Sequence, residues 1–253
     1  QLALLKEFDL DSLDENSPEF VHLVVEATKL AFADREAFYG DTNFNDVPMD
    51  ILLGEEYNAK RRNLISKEAS MEVRPGVIPG FGGKVLVRPK GGTPESFSKF
   101  DIGEPTVARF DEPNPSSLGD TKGDTTHFDI IDKWGNMIAG TPSGGWLQSS
   151  PLIPNLGFCL SNRGQMFWLD ENSPACIGPK RRPRTTLSPS LALKDGLPYM
   201  VFGTPGGDQQ DQWSLHLFLR HVHFGLNLQE AIDAPGFSTC LLYTSPSPRD
   251  GIG

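Results

Sequence analysis

The chain has 253 residues, 38% of them hydrophobic and 22% charged, so it can bury a core and is not a charge-rich disordered chain. Its net charge of −10 argues against a surface that tracks phosphates. The cysteines Cys159, Cys176 and Cys240 and the five histidines show no zinc-like or CxxC spacing, no apolar run reaches bilayer length, and no metal or other cofactor is indicated.

The first predicted element is a helix over residues 17–39. Ser17 is its cap, Pro18 suits the first helical position, and Glu19 complements the positive end of the helix dipole. Phe20, Leu23, Val24, Ala27, Leu30, Ala31 and Phe38 recur at helical spacing and make one buried stripe, which Tyr39-Gly40-Asp41 ends. A second helix over about residues 55–65 carries a charged face, Lys60-Arg61-Arg62, and packing is the role expected of both helices. Residues 73–123 are broken up by Pro75, Pro79, Pro89, Pro94, Pro105, Pro113 and Pro115, together with many glycines, and read as a long functional or mobile loop. Its polar end at Asp120-Thr121-Lys122-Gly123-Asp124 is the kind of segment a backbone cleavage requires.

At Thr125 the pattern changes to period two. Thr126, Phe128, Ile130 and Asp132 fall on one face of a strand, with His127, Asp129 and Ile131 on the other. Asp132-Lys133-Trp134-Gly135-Asn136 is a turn and residues 137–141 return as a second strand, together a hairpin. Further strands are expected at 156–161, 189–194 and 198–203, then helices at about 209–224 and 228–234, where His216, His221 and His223 read as structural. Strands followed by segregated helices predict layered α+β packing. The run Lys180-Arg181-Arg182-Pro183-Arg184 is a solvated turn or, with the hydroxyls that follow it, an anchor for a substrate anion. Residues Cys240–Asp250 back-translate in frame into a transposase sequencing adapter, so residues 240–253 are expected to be a non-native tail on a gene fragment cut at both ends.

The chemistry centres on Thr125. Cleavage between Asp124 and Thr125 would give this residue a free α-amine beside its own hydroxyl. Such an amine titrates near ~7.7–8, so at neutral pH it can accept the hydroxyl proton, and one residue combines nucleophile and base. Thr-Thr at a strand start is also ordinary β-former usage, so the dipeptide alone does not decide the matter. Gly203-Thr204-Pro205-Gly206-Gly207-Asp208 lies between a strand and a helix. Its adjacent glycines let two backbone N–H groups approach a developing oxyanion, or simply make a strand-to-helix turn.

Taken together, TTHFDIIDKWGN, RPRTTLSPS and GTPGG resemble the small-subunit signature of the gamma-glutamyltranspeptidase family of N-terminal-nucleophile hydrolases. HLVVEATKLAFADREAFYGD resembles that family's large-subunit helix, and the likeness runs from residue 15 to residue 238. The resemblance implies an αββα sandwich, here truncated at both ends, and a self-cleaving proenzyme that forms an acyl-enzyme on threonine. Residues 1–124 would be the end of the large subunit and residues 125–239 the start of the small one. Thr125 matches the nucleophile, Thr141 and Ser143 the polar strand positions that support it, and Gly206 and Gly207 the oxyanion glycines. Thr185 and Thr186 stand where the family has two serines holding a substrate α-carboxylate.

The chain departs from the pattern in its substrate pocket. Gly145 replaces an Asn, Arg163 stands near the usual Gln, and Met166 stands near the usual Asp. Losing an acid and gaining Arg163 disfavours an ammonium group and favours a carboxylate or neutral one, provided that Arg163 does not simply point to solvent. Loss of the charge-assisted contact costs about 1.5–3 kcal/mol, at least roughly tenfold in preference. The expected function is therefore a self-processing threonine-nucleophile amidase or acyltransferase acting on a small amide, with hydrolysis favoured over transpeptidation. Relatives with such pockets act on small carboxylated amides such as oxamate, or are acylases. The alternative is a non-catalytic family member serving as a binding or structural module. Expected partners are the substrate and the chain's own processed subunits, with room for a homo-oligomer of the processed heterodimer, and no nucleic acid. No compartment follows from the sequence.

Overall fold

The computed structural model describes residues 1–82, 125–144, 151–161 and 163–239. In chain order these form helices α1 (Leu2–Leu5), α2 (Pro18–Phe38), α3 (Met49–Leu53) and α4 (Glu55–Arg62), then strands β1 (Phe128–Ile131), β2 (Met137–Gly140), β3 (Ser190–Lys194) and β4 (Leu197–Phe202), and finally helices α5 (Gln210–His223) and α6 (Leu228–Asp233). Contacts divide the chain into two compact units. The first holds Gln1–Pro94, Phe167–Arg184 and Leu215–Gly253, and the second Glu95–Met166 and Thr185–Ser214.

The first unit is organised by α2. Ser17 Oγ accepts a hydrogen bond from the Phe20 amide at 3.2 Å, and Pro18 costs no hydrogen bond in the first turn. Phe20, Val24, Ala27 and Leu30 of α2 are buried with Leu4, Leu5, Leu10, Leu215 and Leu219 in one core. Phe20 meets Phe224 and Phe237 edge-on, with ring centroids 5.1 and 6.1 Å apart. Each such side chain contributes about 1.5–3 kcal/mol by leaving water, which accounts for the helix better than propensity does.

More than the predicted stripe of α2 is buried. Asp34 accepts from Arg61 Nη2 at 3.0 Å, Tyr57 Oη at 3.0 Å and the Gly76 amide at 2.7 Å. Burial nevertheless raises the Asp34 pKa, against the lowering effect of Arg61. Glu26 pairs with Lys29 and with Arg74 Nη2, the latter at 2.7 Å. Arg61, drawn from the run read as a charged face, is thus a buried partner of α2.

Segment 167–184 of the same unit lies on the C-terminal end of α2. Asp41 accepts from the Arg182 amide at 2.7 Å and from its guanidinium at 2.8 and 3.2 Å, and Trp168 Nε1 donates to Glu36 at 3.3 Å. The basic run is therefore not merely solvated, since Arg182 grips a carboxylate of this chain.

In the second unit β1 pairs antiparallel with β2, and β3 with β4, as two two-stranded sheets. The strand expected at 156–161 is instead irregular, with an isolated bridge between Leu152 and Cys159, because Gly157 and Asn155 take positive φ and curl the segment. Among the described residues, these two hairpins are the strand pairing that the expected α+β architecture shows. Of the loop predicted over 73–123, residues 83–123 lie outside the described residues, as do Asp124 and the tail over 240–253.

Candidate active site

The site is built on the β1–β2 hairpin of the second unit. Its turn is held by Asp132, whose carboxylate accepts from the Trp134 and Asn136 amides at 2.9 Å each and from Asn136 Nδ2 at 2.7 Å. These bonds, the Asn136 side chain foremost, hold the Asp132 carboxyl below the usual range. Gly135 takes φ +87, as the turn requires.

With that register, Phe128 faces Gly140. The pairing continues outward, for the Thr126 amide donates to the Pro142 carbonyl at 3.2 Å. Continuing it sets His127 against Thr141 and Thr125 against Ser143. Side chains alternate along a strand, so Thr125, His127 and Asp129 share one face with Thr141 and Ser143. The side chains meet accordingly. Thr125 Oγ1 and Ser143 Oγ share a hydrogen bond at 2.6 Å, His127 Nδ1 and Thr141 Oγ1 one at 2.8 Å, and His127 Nε2 and Asp129 Oδ1 one at 2.8 Å.

The glycine-rich loop follows β4. A Cβ on Gly203 would lie 2.3 Å from His127 Cε1, so this backbone rests directly on the imidazole. Gly206 has φ +133 and its Cα faces the Trp213 ring, where a Cβ would come within 2.6 Å. Gly207, at φ +56, opens the short helical turn Gly207–Gln209 that runs into α5. Close packing excludes a side chain at Gly203, and at Gly206 backbone conformation does so as well.

Thr186 is linked through Ser188 to the start of α5. Thr185 Oγ1 accepts from the Leu187 amide at 3.1 Å, and Thr186, buried, offers its carbonyl to Ser188 Oγ at 3.1 Å. Ser188 in turn bonds Gln210 through its amide and Asp211 through its hydroxyl. Arg163 begins the helical turn Arg163–Met166 and is buried, as is Met166, so Arg163 does not point to solvent.

The structure thus joins Thr125 to Ser143, and Thr141 through His127 to Gly203. The residues that sequence reasoning missed are His127 and Asp129. Their signal was the alternation Thr125, His127, Asp129, three polar residues on one strand face.

A sequence model of the family described as gamma-glutamyltranspeptidase matches residues 1–246. The chain belongs to the gamma-glutamyltranspeptidase family. Among relatives in that family, it is 29% identical over 250 residues to a glutathione hydrolase proenzyme of Pseudomonas sp. (strain A14), which covers 93% of this chain and 36% of the relative. It is 30% identical over 239 residues to an oxamate amidohydrolase proenzyme of Klebsiella pneumoniae, covering 92% of this chain and 37% of the relative. The solved structure described as "Structure of LmbA2991HD" is 47% identical, with a TM-score of 0.67 over 98% of this chain and 40% of that one. A cephalosporin acylase from Bacillus halodurans is 25% identical, with a TM-score of 0.64 over 93% of this chain and 35% of that one. The chain therefore spans little more than a third of the length of the curated relatives it matches. Among the described residues there is no helix long and apolar enough to cross a membrane, and no cluster of His, Cys, Asp and Glu that could hold a metal.

Proposed function

We propose that the protein containing this chain is a self-processing amidase or acyltransferase, in which cleavage after Asp124 frees Thr125 as the nucleophile. The observation that carries this reading is the 2.6 Å hydrogen bond between Thr125 Oγ1 and Ser143 Oγ, made where the hairpin register sets these residues opposite each other. In the uncut chain the Thr125 nitrogen is an amide and cannot take a proton. After cleavage it is an amine that accepts the hydroxyl proton as Oγ1 attacks a substrate carbonyl. The amine then passes that proton to the leaving nitrogen, the C–N bond breaks, and an ester on Thr125 remains. Water attacks the ester and gives a proton to the amine; the acyl C–Oγ1 bond then breaks, the carboxylic acid leaves, and the amine returns the proton to Oγ1. Gly206 and Gly207 would supply N–H groups to the tetrahedral oxyanion, a contribution typically worth about 10²–10³ in rate for one donor.

Thr185 and Thr186 would hold a substrate carboxylate, and the buried Arg163 would favour a carboxylated or neutral acyl group over an ammonium. Relatives named acylase and oxamate amidohydrolase support this preference and hydrolysis over transfer. In the complete protein we assign β1–β4 to an αββα sandwich, whose further layers would cover Phe128, Ile130 and Ile138, about half exposed here. Residues 1–124 and 125–239 would be parts of the large and small subunits, and relatives named proenzymes support such processing. After cleavage they would stay together, since Phe20 and Leu219 share a core and Asp41 binds Arg182. Denaturing mass spectrometry of the full-length gene product tests the proposal. Two chains, one beginning at Thr125, are expected, and a single intact chain that still hydrolyses an amide would refute it.

A further inference from the structure

The imidazole of His127 is held from three directions. Asp129 engages Nε2, Thr141 engages Nδ1, and the Gly203 backbone lies against the ring edge between the two nitrogens. The side chain is 9% exposed, so water competes little for either nitrogen. A carboxylate can only accept, so Nε2 carries the proton toward Asp129. In the neutral ring Nδ1 is then an acceptor, and the Thr141 hydroxyl must donate to it. That fixes the rotor of Thr141, two residues before Ser143 on the same strand face. It also seats the start of the loop that carries Gly206 and Gly207.

We propose that His127 is a positioning residue, locked in one tautomer by Asp129, that aligns the Thr141–Ser143 strand edge and the Gly203–Gly207 loop with Thr125. The inference rests on Thr125 being the nucleophile. One side chain touches both the hydroxyl-bearing strand and the glycine-rich loop, and so sets the distance between the attacking oxygen and the N–H groups meant for the oxyanion. The sequence provides for this twice, with an acceptor of fixed polarity at position 129 and a residue without a Cβ at position 203.

The test uses the full-length gene product and two readouts: the first-order rate of self-cleavage on denaturing gels, and the tautomer of His127 from ¹⁵N imidazole shifts. Asp129→Asn replaces an obligate acceptor with a side chain that can donate to Nε2, moving the ring proton to Nδ1 and reversing the Thr141 hydroxyl. The expected result is a switch from the Nε2–H to the Nδ1–H form and cleavage slowed at least roughly tenfold, as for loss of one charge-assisted hydrogen bond. Thr141→Val, which removes the hydroxyl at nearly constant volume, should slow cleavage comparably. The double variant should be no slower than the worse single one, because the three groups act as one chain. Asp129→Glu keeps an acceptor-only carboxylate and should recover part of the rate, which a merely structural role for Asp129 would not give. An unchanged tautomer or rate in Asp129→Asn, or strictly multiplicative effects in the double variant, overturns the proposal. Thr125→Ala separates the two levels: if it still cleaves, the nucleophile assignment fails, whereas an inert Thr125→Ala beside a normal Asp129→Asn removes only the role of His127.

Discussion

Acidification should weaken this fold through His216. The residue lies in α5, 3% exposed, with its ring 3.9 Å from that of Phe237. Burial, and secondarily the positive charge of Arg220, pushes its pKa down to about 3 from an ordinary 6.5. The native state therefore keeps the ring neutral while the unfolded chain takes up a proton below 6.5. The stability that neutral His216 preserves is complete above that value and is lost as the pH falls toward 3. The slope approaches about 1.4 kcal/mol per pH unit, so moving from about pH 7.5 to about pH 5 costs roughly 2 kcal/mol through this residue alone. His216→Leu removes the titration. It sacrifices no hydrogen bond at Nδ1, which has no partner among the described residues. Urea unfolding of both proteins at the two pH values isolates the effect from all other groups. The stability difference should move in favour of the variant by about 2 kcal/mol on acidification. Parallel stability-against-pH curves would show that the native ring protonates freely and that the burial argument is wrong.

Asp41 should show a second acid dependence at lower pH. Its bonds to the Arg182 side chain and amide hold the carboxyl well below the usual range, so the contact stabilises above about pH 3.8 and weakens as the pH falls further. Asp41→Asn should lower the thermal midpoint near neutrality, with the gap to wild type narrowing in acid, as calorimetry can follow. Gly203→Ala should slow self-cleavage while leaving the core of the first unit intact, because the new Cβ would lie 2.3 Å from the His127 ring. Gel kinetics with far-ultraviolet circular dichroism separate the two effects, and an unchanged rate would mean that the loop can yield at no cost.

The sequence by itself determined the elements whose signals are local. Ser17 and Pro18 marked the start of α2 because capping and ring geometry act within one turn, and the period-two run after Thr125 with its Asp132–Asn136 turn marked the hairpin. The motifs around Thr125, Thr185 and Gly206 identified the family, since their order along the chain needs no coordinates to read. What the tertiary structure alone decided were pairings between distant residues. The run Lys60-Arg61-Arg62 reads as a charged face until Asp34, far away in sequence, is seen to hold Arg61 in the interior. The run around Arg182 reads as a solvated turn or an anion anchor until Asp41 is found to hold Arg182. The strand expected at 156–161 gave way to positive φ at Asn155 and Gly157, which an alternating pattern does not reveal. His127 had no metal-like spacing to draw attention to it. Only the β1–β2 register sets Thr141 across from it, and only the fold of the loop after β4 brings Gly203 onto its ring, because strand pairing and close backbone packing are fixed by the whole hydrogen-bonded and buried assembly rather than by neighbouring residues.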